Sequence, residues 1–193
     1  HGFEVHAVEP NREMRAAAEH WLGGRPAFHS VPGSAQDTML PAGSVDLVVA
    51  AQAFHWFQAQ AARCEFSRIL KPGGWVALIW NERHLDTTPF LRGYEELLIQ
   101  HATDYTQVRH ENVGSQVLRS FFLDGQYQTF TVPNEQHFDF EGLKGRLLSC
   151  SYAPAEGHPG HPAMIAALVC LFDRHESGGK VSFIYETRVH LGH

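Results

Sequence analysis

Val45-Asp46-Leu47-Val48-Val49-Ala50-Ala51 is a nearly continuous apolar run, the pattern of a strand buried on both faces. Downstream, Ala62, Phe66, Ile69 and Leu70 fall on one face of a helix. Lys71-Pro72-Gly73-Gly74 then makes a turn, and Trp75 to Trp80 reads as a second buried strand. Strand, helix and strand joined by short loops predict a parallel sheet with right-handed crossovers and helices on both faces, an α/β fold. The upstream text repeats this alternation. Phe3 to Val8 is strand-like and ends at Glu9, where Pro10-Asn11 stops it. Asn11 is a good N-cap for a helix with Met14, Ala17, Ala18 and Trp21 on its apolar face. Gly23-Gly24 closes that helix, and Pro26 to Val31 is a further short strand.

Past Asn81 the pattern changes. Phe90, Tyr94, Leu97, Leu98 and His101 mark one helix, and Val117, Leu118, Phe121 and Phe122 a second. Tyr127 to Val132 and His137 to Phe140 read as strands. A helix with Met164, Ile165, Leu168, Leu171 and Phe172 inward precedes a final strand from Val181 to about His190. No repeat or linker interrupts the text, so residues 1–193 are expected to form one domain. Its expected parts are a cofactor-binding half over 1–86, a helical insertion or lid over 87–132, and a C-terminal completion of the sheet over 133–193.

Composition narrows the partners. The 193 residues are 44% apolar and carry a formal charge of −6. That sign removes long-range attraction to phosphate backbones and anionic lipid, so neither nucleic acid nor a membrane surface is expected as partner. Cys64, Cys150 and Cys170 are widely spaced with no C-x-x-C pair, which argues against a disulfide framework and for a reducing, cytoplasmic setting. The apolar runs at Val45 to Ala51 and Met164 to Phe172 are far shorter than a span of about 20 residues. The text opens at His1 inside a strand-like segment, so the natural N-terminus is expected to lie upstream.

Five segments in order carry a resemblance: Val8-Glu9-Pro10-Asn11, Gly33-Ser34-Ala35-Gln36-Asp37, Gly43-Ser44-Val45-Asp46-Leu47-Val48-Val49, Ala53-Phe54-His55-Trp56-Phe57 and Arg68-Ile69-Leu70-Lys71-Pro72-Gly73-Gly74. In this order they resemble the class I S-adenosylmethionine-dependent methyltransferases that act on small molecules. The resemblance implies a Rossmann-like, mostly parallel sheet with an antiparallel C-terminal strand and a helical insertion after the fifth strand. It implies S-adenosylmethionine as cofactor and a small-molecule methyl acceptor. The family begins with a strand running into a G-x-G loop, and none of the 17 glycines here forms one. The first strand is therefore expected to be missing from the text.

The same resemblance assigns residues. Glu9, with Pro10 behind it, ends the second strand of the family, where a carboxylate accepts from both ribose hydroxyls. Ser34, Ala35 and Gln36 lie where the family's loop meets the adenine ring. Serine replaces the usual carboxylate there, and Asp37 reads as solvated. Ala51 and Gln52 would run beside the methionine half of the cofactor. His55 is the candidate general base, since imidazole titrates near neutrality, although a histidine at a helix start is commonly structural. Trp56 faces either the substrate cavity or the core. Asn81 and Arg83 could reach a polar group on the substrate, or Arg83 is a solvated loop charge. Asp46, inside a strand read as buried, must find partners and suits a structural role. The aromatic residues Phe90, Tyr94, Tyr105, Phe121 and Phe122 suit an apolar cavity or core packing.

No metal is expected: His158 and His161 are close in sequence but have no familiar ligand spacing around them. The strand-four end, Ala50-Ala51-Gln52-Ala53, lacks the Asn/Asp-Pro-Pro-aromatic loop of enzymes that methylate adenine or amide nitrogens. Two competing readings remain. A non-catalytic methyltransferase-like binding or partner protein would keep the fold. A nicotinamide-dependent oxidoreductase would also place an acid at the end of its second strand.

Overall fold

The computed structural model describes residues 2–105 and 115–193. They fall into two compact units. Of these residues the first comprises 2–79, 115–129 and 189–193; the second comprises 80–105 and 130–188. This division does not follow the expected parts 1–86, 87–132 and 133–193, because three long strands each run from one unit into the other.

In the first unit β1 (Val5–Val8) and β2 (Phe28–Val31) pair in parallel, in register from Val5 with Phe28 to Val8 with Val31. Between them α1 (Arg12–Leu22) starts where expected: Asn11 Oδ1 accepts from the backbone N–H of Glu13 and Met14, at 2.9 and 3.1 Å. The expected apolar face of α1 is not buried, and Trp21 is 81% exposed. β3 (Val45–Ala51) pairs in parallel with β4 (Leu70–Arg83), joined through α2 (Ala59–Ile69). The ladder pairs Val45 with Leu70 and resumes at Leu47 with Trp75, so Lys71 to Gly74 bulge out as the expected turn, with Gly73 at φ +78°.

The reading of β3 as buried on both faces is corrected. Leu47 and Val49 are 50% and 53% exposed, and Ala50 alone is buried in that strand. The reason is topological. The four-stranded sheet runs β3-β4-β6-β5, which leaves β3 at its edge, while β1 and β2 form a separate two-stranded sheet. Asp46 is accordingly not a buried carboxylate: it is exposed and meets Lys71 Nζ at 2.9 Å, an ion pair worth under about 1 kcal/mol. α4 (Ser115–Phe121) packs on α2 in this unit, with Phe121 edge-on to Phe54 and Phe66.

The second unit holds α3 (Pro89–His101), α5 (Phe140–Leu148), α6 (His161–His175) and most of β5 (Tyr127–Phe138) and β6 (Val181–Gly192). Its core joins Tyr94 and Leu98 of α3, Leu143 and Leu147 of α5, Met164 and Leu168 of α6, and Phe183 of β6. Two expectations change here. β5 is one strand rather than two, because it ends the strand order and Pro133 can sit on an edge without removing a ladder bond. α5 was not expected, since Gly142 and Gly145 weaken its helical signal; Asp139 caps it by accepting from the Gly142 N–H at 2.8 Å.

The expected insertion is not a single body. α3 belongs to the second unit and α4 to the first, and residues 106–114 lie outside the described ones. Phe90, Tyr94 and Tyr105 are buried in one unit and Phe121 and Phe122 in the other, so these aromatics fill cores instead of walling a cavity.

Candidate functional site

The carboxyl ends of parallel strands are where open α/β sheets bind ligands. At the end of β1, the Glu9 N–H donates to Val31 O at 3.1 Å, which continues the ladder one residue beyond the strand. Its carbonyl accepts from Arg15 Nη1 at 2.9 Å, and its Oε1 accepts from the Asn11 N–H at 2.7 Å. The side chain is thereby oriented by the first turn of α1. No donor among the described residues reaches Oε2, which leaves that oxygen able to accept from a ligand hydroxyl. Pro10 is exposed beside it.

The loop after β2 is closed on itself. Ser34 N donates to Asp37 O at 2.8 Å, and Asp37 N donates to Ser34 O and Ser34 Oγ, each at 3.2 Å. Ala35 and Gln36 form the tip, Asp37 is exposed, and Ser34 Oγ is partly engaged by its own turn. Gly33 is required here: a Cβ would lie 2.8 Å from Thr38 O. Glu9 and Pro10, and the turn that carries Ser34, Ala35 and Gln36, thus follow the paired carboxyl ends of β1 and β2.

A second group sits at the end of β3. Gln52, next to Ala51, holds φ +55°, a left-handed conformation that costs a non-glycine residue of order 1 kcal/mol or more, while its N–H keeps Ile79 O at 2.9 Å. His55 and Trp56 follow on a single helical turn, Phe54–Trp56, with ring centroids 4.9 Å apart. Phe54 enters the core, whereas Trp56 is 70% exposed, so the core-packing alternative for Trp56 does not hold.

Asn81 and Arg83 lie in the second unit. Asn81 Oδ1 accepts from Thr187 Oγ1 at 2.9 Å and Asn134 Nδ2 at 3.2 Å. Arg83 is neither loop-borne nor solvated: it is the last residue of β4, its side chain is 11% exposed, and it pairs with Glu95 at 2.5 Å and Tyr105 Oη at 3.0 Å.

Sequence reasoning missed a third cluster, behind the loop. Glu65 on α2 is 8% exposed. Its Oε1 accepts from Thr38 N at 2.8 Å and Thr38 Oγ1 at 2.5 Å. Arg68 Nε and Nη2 donate to its two oxygens, each at 2.7 Å, and Nη2 also donates to Leu40 O at 2.8 Å. The signal was present: Glu65 shares the buried face of Ala62, Phe66 and Ile69, and a carboxylate there needs partners. The Arg68 hydrogen bonds, against the opposing effect of burial and aided by Thr38, hold the Glu65 carboxyl down at about 2 from an ordinary 4.5. A carboxyl depressed on folding stabilises the fold above its unfolded value and loses that contribution as pH falls through the folded one. The urea midpoint is therefore expected to drop between about pH 4.5 and pH 2 more steeply in the wild type than in Glu65→Gln. Parallel profiles would remove Glu65 as the cause.

Among the described residues no group of three or more His, Cys, Asp or Glu side chains is placed to hold a metal ion, and no helix is long and apolar enough to cross a membrane. His161 Nδ1 instead meets Pro154 O at 2.8 Å, and His158 Nδ1 accepts from the Gly160 N–H at 3.0 Å.

Parallel strands with polar residues at their carboxyl ends define an open α/β protein, and comparison narrows the class. Residues 1–78 match the methyltransferase domain family. An uncharacterised methyltransferase-like protein of Schizosaccharomyces pombe is 43% identical over 72 residues, 37% of this chain and 28% of the relative. An uncharacterised methyltransferase of Mycobacterium tuberculosis is 39% identical over 82 residues, 42% of this chain and 32% of the relative. The matched stretch thus spans about a third or less of those relatives' length. A candidate type II methyltransferase from Anaeromyxobacter dehalogenans superposes with a TM-score of 0.67 at 22% identity, over 98% of this chain and 80% of that one. The YcgJ protein of Bacillus subtilis gives 0.54 at 19% identity, over 97% and 81%. These likenesses show the fold. The chain has the α/β fold of those structures, and the sequence of residues 1–78 is similar to the methyltransferase domain.

Proposed function

We propose that the protein is an S-adenosylmethionine-dependent methyltransferase acting on a small-molecule acceptor. The observation that supports this most directly is Glu9, fixed at the end of β1 by Asn11 and Arg15 with one carboxylate oxygen left to accept from a ligand. That arrangement fits a ribose diol, and the closed turn at Ser34 to Gln36 on the neighbouring strand fits the base beside it. The residues present fit the adenosine half of the cofactor. No G-x-G loop exists among the 193 residues for the methionine half, where Ala51 and Gln52 are the candidates.

When bound, S-adenosylmethionine supplies a sulfonium methyl group already activated for in-line displacement. The chain then contributes mostly binding, orientation and exclusion of water. Glu9 and the 34–36 turn hold the nucleoside, and Trp56 offers an exposed aromatic surface at the end of β3. His55 takes a proton only where the acceptor carries one at working pH. Asn81 and Arg83 are the polar candidates of the second unit, and the Glu95 pair leaves Arg83 neutralised unless an acceptor carboxylate competes for it. The formal charge of −6 favours a small molecule over nucleic acid.

The test is calorimetric titration of S-adenosylhomocysteine into the 193-residue chain and into a form extended upstream by a strand and a G-x-G loop. Saturable binding by the extended form, tighter than by the shorter one, is expected. Binding by neither at millimolar ligand would shift the assignment to a non-catalytic protein of the same fold, and saturable NAD binding would shift it to an oxidoreductase.

A further inference from the structure

We propose that Glu65 is the positioning residue of the loop 33–40, setting from α2 the shape of the turn that meets the cofactor's base. This rests on the methyltransferase reading above. The carboxylate holds Thr38 at both its backbone N–H and its hydroxyl, and the arginine that neutralises it holds Leu40 O two residues further on. Leu40 N donates in turn to Thr38 Oγ1 at 3.3 Å. Between these two anchored residues Met39 is held at φ +61°, a conformation that a non-glycine residue keeps only where its surroundings over-determine it. On the other side Gly33 leaves no room for a Cβ beside Thr38 O, and the Ser34–Asp37 turn closes directly before Thr38.

The chain of contacts therefore runs from Arg68 to Glu65 to Thr38 and into the turn that carries Ala35 and Gln36. No side chain of the turn itself reaches α2 among the described hydrogen bonds. An ion pair with three loop contacts is more than a helix needs for its own stability, since an i,i+3 pair contributes only about 0.2–0.5 kcal/mol to a helix. Its reach into the loop is the part with functional content. Glu65 touches no substrate and acts through Thr38.

The experiment combines two readouts on the full chain. Amide hydrogen exchange without ligand is compared between wild type and Glu65→Gln, and S-adenosylhomocysteine affinity is measured for both in whichever form of the chain binds it. Exchange at Thr38 and Leu40 is expected to quicken at least tenfold with the buried amides of Val76 to Leu78 unchanged, and affinity to fall about tenfold. Because Glu65→Gln could fail to fold, Thr38→Val and Thr38→Ser are measured beside it. Thr38→Val removes the hydroxyl bonds and is expected to weaken binding severalfold, and Thr38→Ser, which keeps them, to restore it. Quickened loop exchange with undiminished affinity would overturn the positioning role. Wild-type protein that binds no S-adenosylhomocysteine would overturn the methyltransferase reading instead, while the exchange result still decides whether Glu65 sets the loop.

Discussion

Phe183→Ala is expected to destabilise the second unit by about 3–5 kcal/mol, the range for deleting a buried aromatic ring. Phe183 is fully buried and central to its cluster. Phe90, Tyr94 and Phe138 meet its ring edge-on with centroids 5.2, 4.9 and 5.6 Å away. The Arg146 guanidinium lies 4.4 Å from the ring centroid while donating to Tyr185 Oη at 3.0 Å. Removing the ring leaves a cavity between α3, α6 and β6 and strips a half-buried cation of the aromatic face that stands in for water, a contact worth about 0.5–2 kcal/mol. That second loss places the expected value toward the upper end. A domain is stable by about 5–15 kcal/mol, so urea unfolding followed by near-ultraviolet circular dichroism should show the transition moved by a large part of its midpoint. Ile99→Ala, at an exposed position of α3, should shift it by less than about 0.5 kcal/mol. Equal effects at the two positions would mean that this cluster is not the core of the unit.

The contrast between Phe183 and β3 marks what the sequence could and could not disclose. Signals carried by neighbouring residues were legible. Asn11 caps α1, α2 buries the face with Ala62, Phe66 and Ile69, and Gly73 turns the chain within β4 ahead of Trp75, all from local period and punctuation. Burial of a strand is not local. Val45 to Ala51 has the composition of a central strand, yet its exposure depends on what packs beside it and over its faces, and β4 is its one paired neighbour among the described residues. The same holds for Met14 and Trp21 on α1. Glu9 could be placed because Pro10 ends the strand at that point. The partner of Glu65 could not be named, since its contact with Thr38 spans 27 residues and no local pattern joins them. Arg83 was misread for a related reason: a strand written as ending at Trp80 in fact continues to Arg83 and carries it to Glu95.

Glu9→Ala is expected to weaken S-adenosylhomocysteine binding about tenfold to a hundredfold. Oε1 already accepts from the Asn11 N–H, which fixes the carboxylate, and Oε2 is the acceptor open to a hydroxyl. A hydrogen bond to a charged group contributes about 1.5–3 kcal/mol, and 1.4 kcal/mol is a factor of ten in affinity. Losing that charged acceptor therefore accounts for one to two powers of ten. Glu9→Gln keeps a neutral acceptor at the same place and should fall between the variant and the wild type. Stability should barely change: the Asn11 N–H left behind is exposed and can turn to water, and Asn11 Oδ1 still caps α1. Calorimetric titration with thermal melts of the same samples separates the two effects. A hundredfold loss with an unchanged melt assigns Glu9 to the ligand, and a loss that tracks a lowered melt assigns it to the turn between β1 and α1. Unchanged binding would remove Glu9 from the nucleoside site, and with it the observation on which the methyltransferase reading most depends.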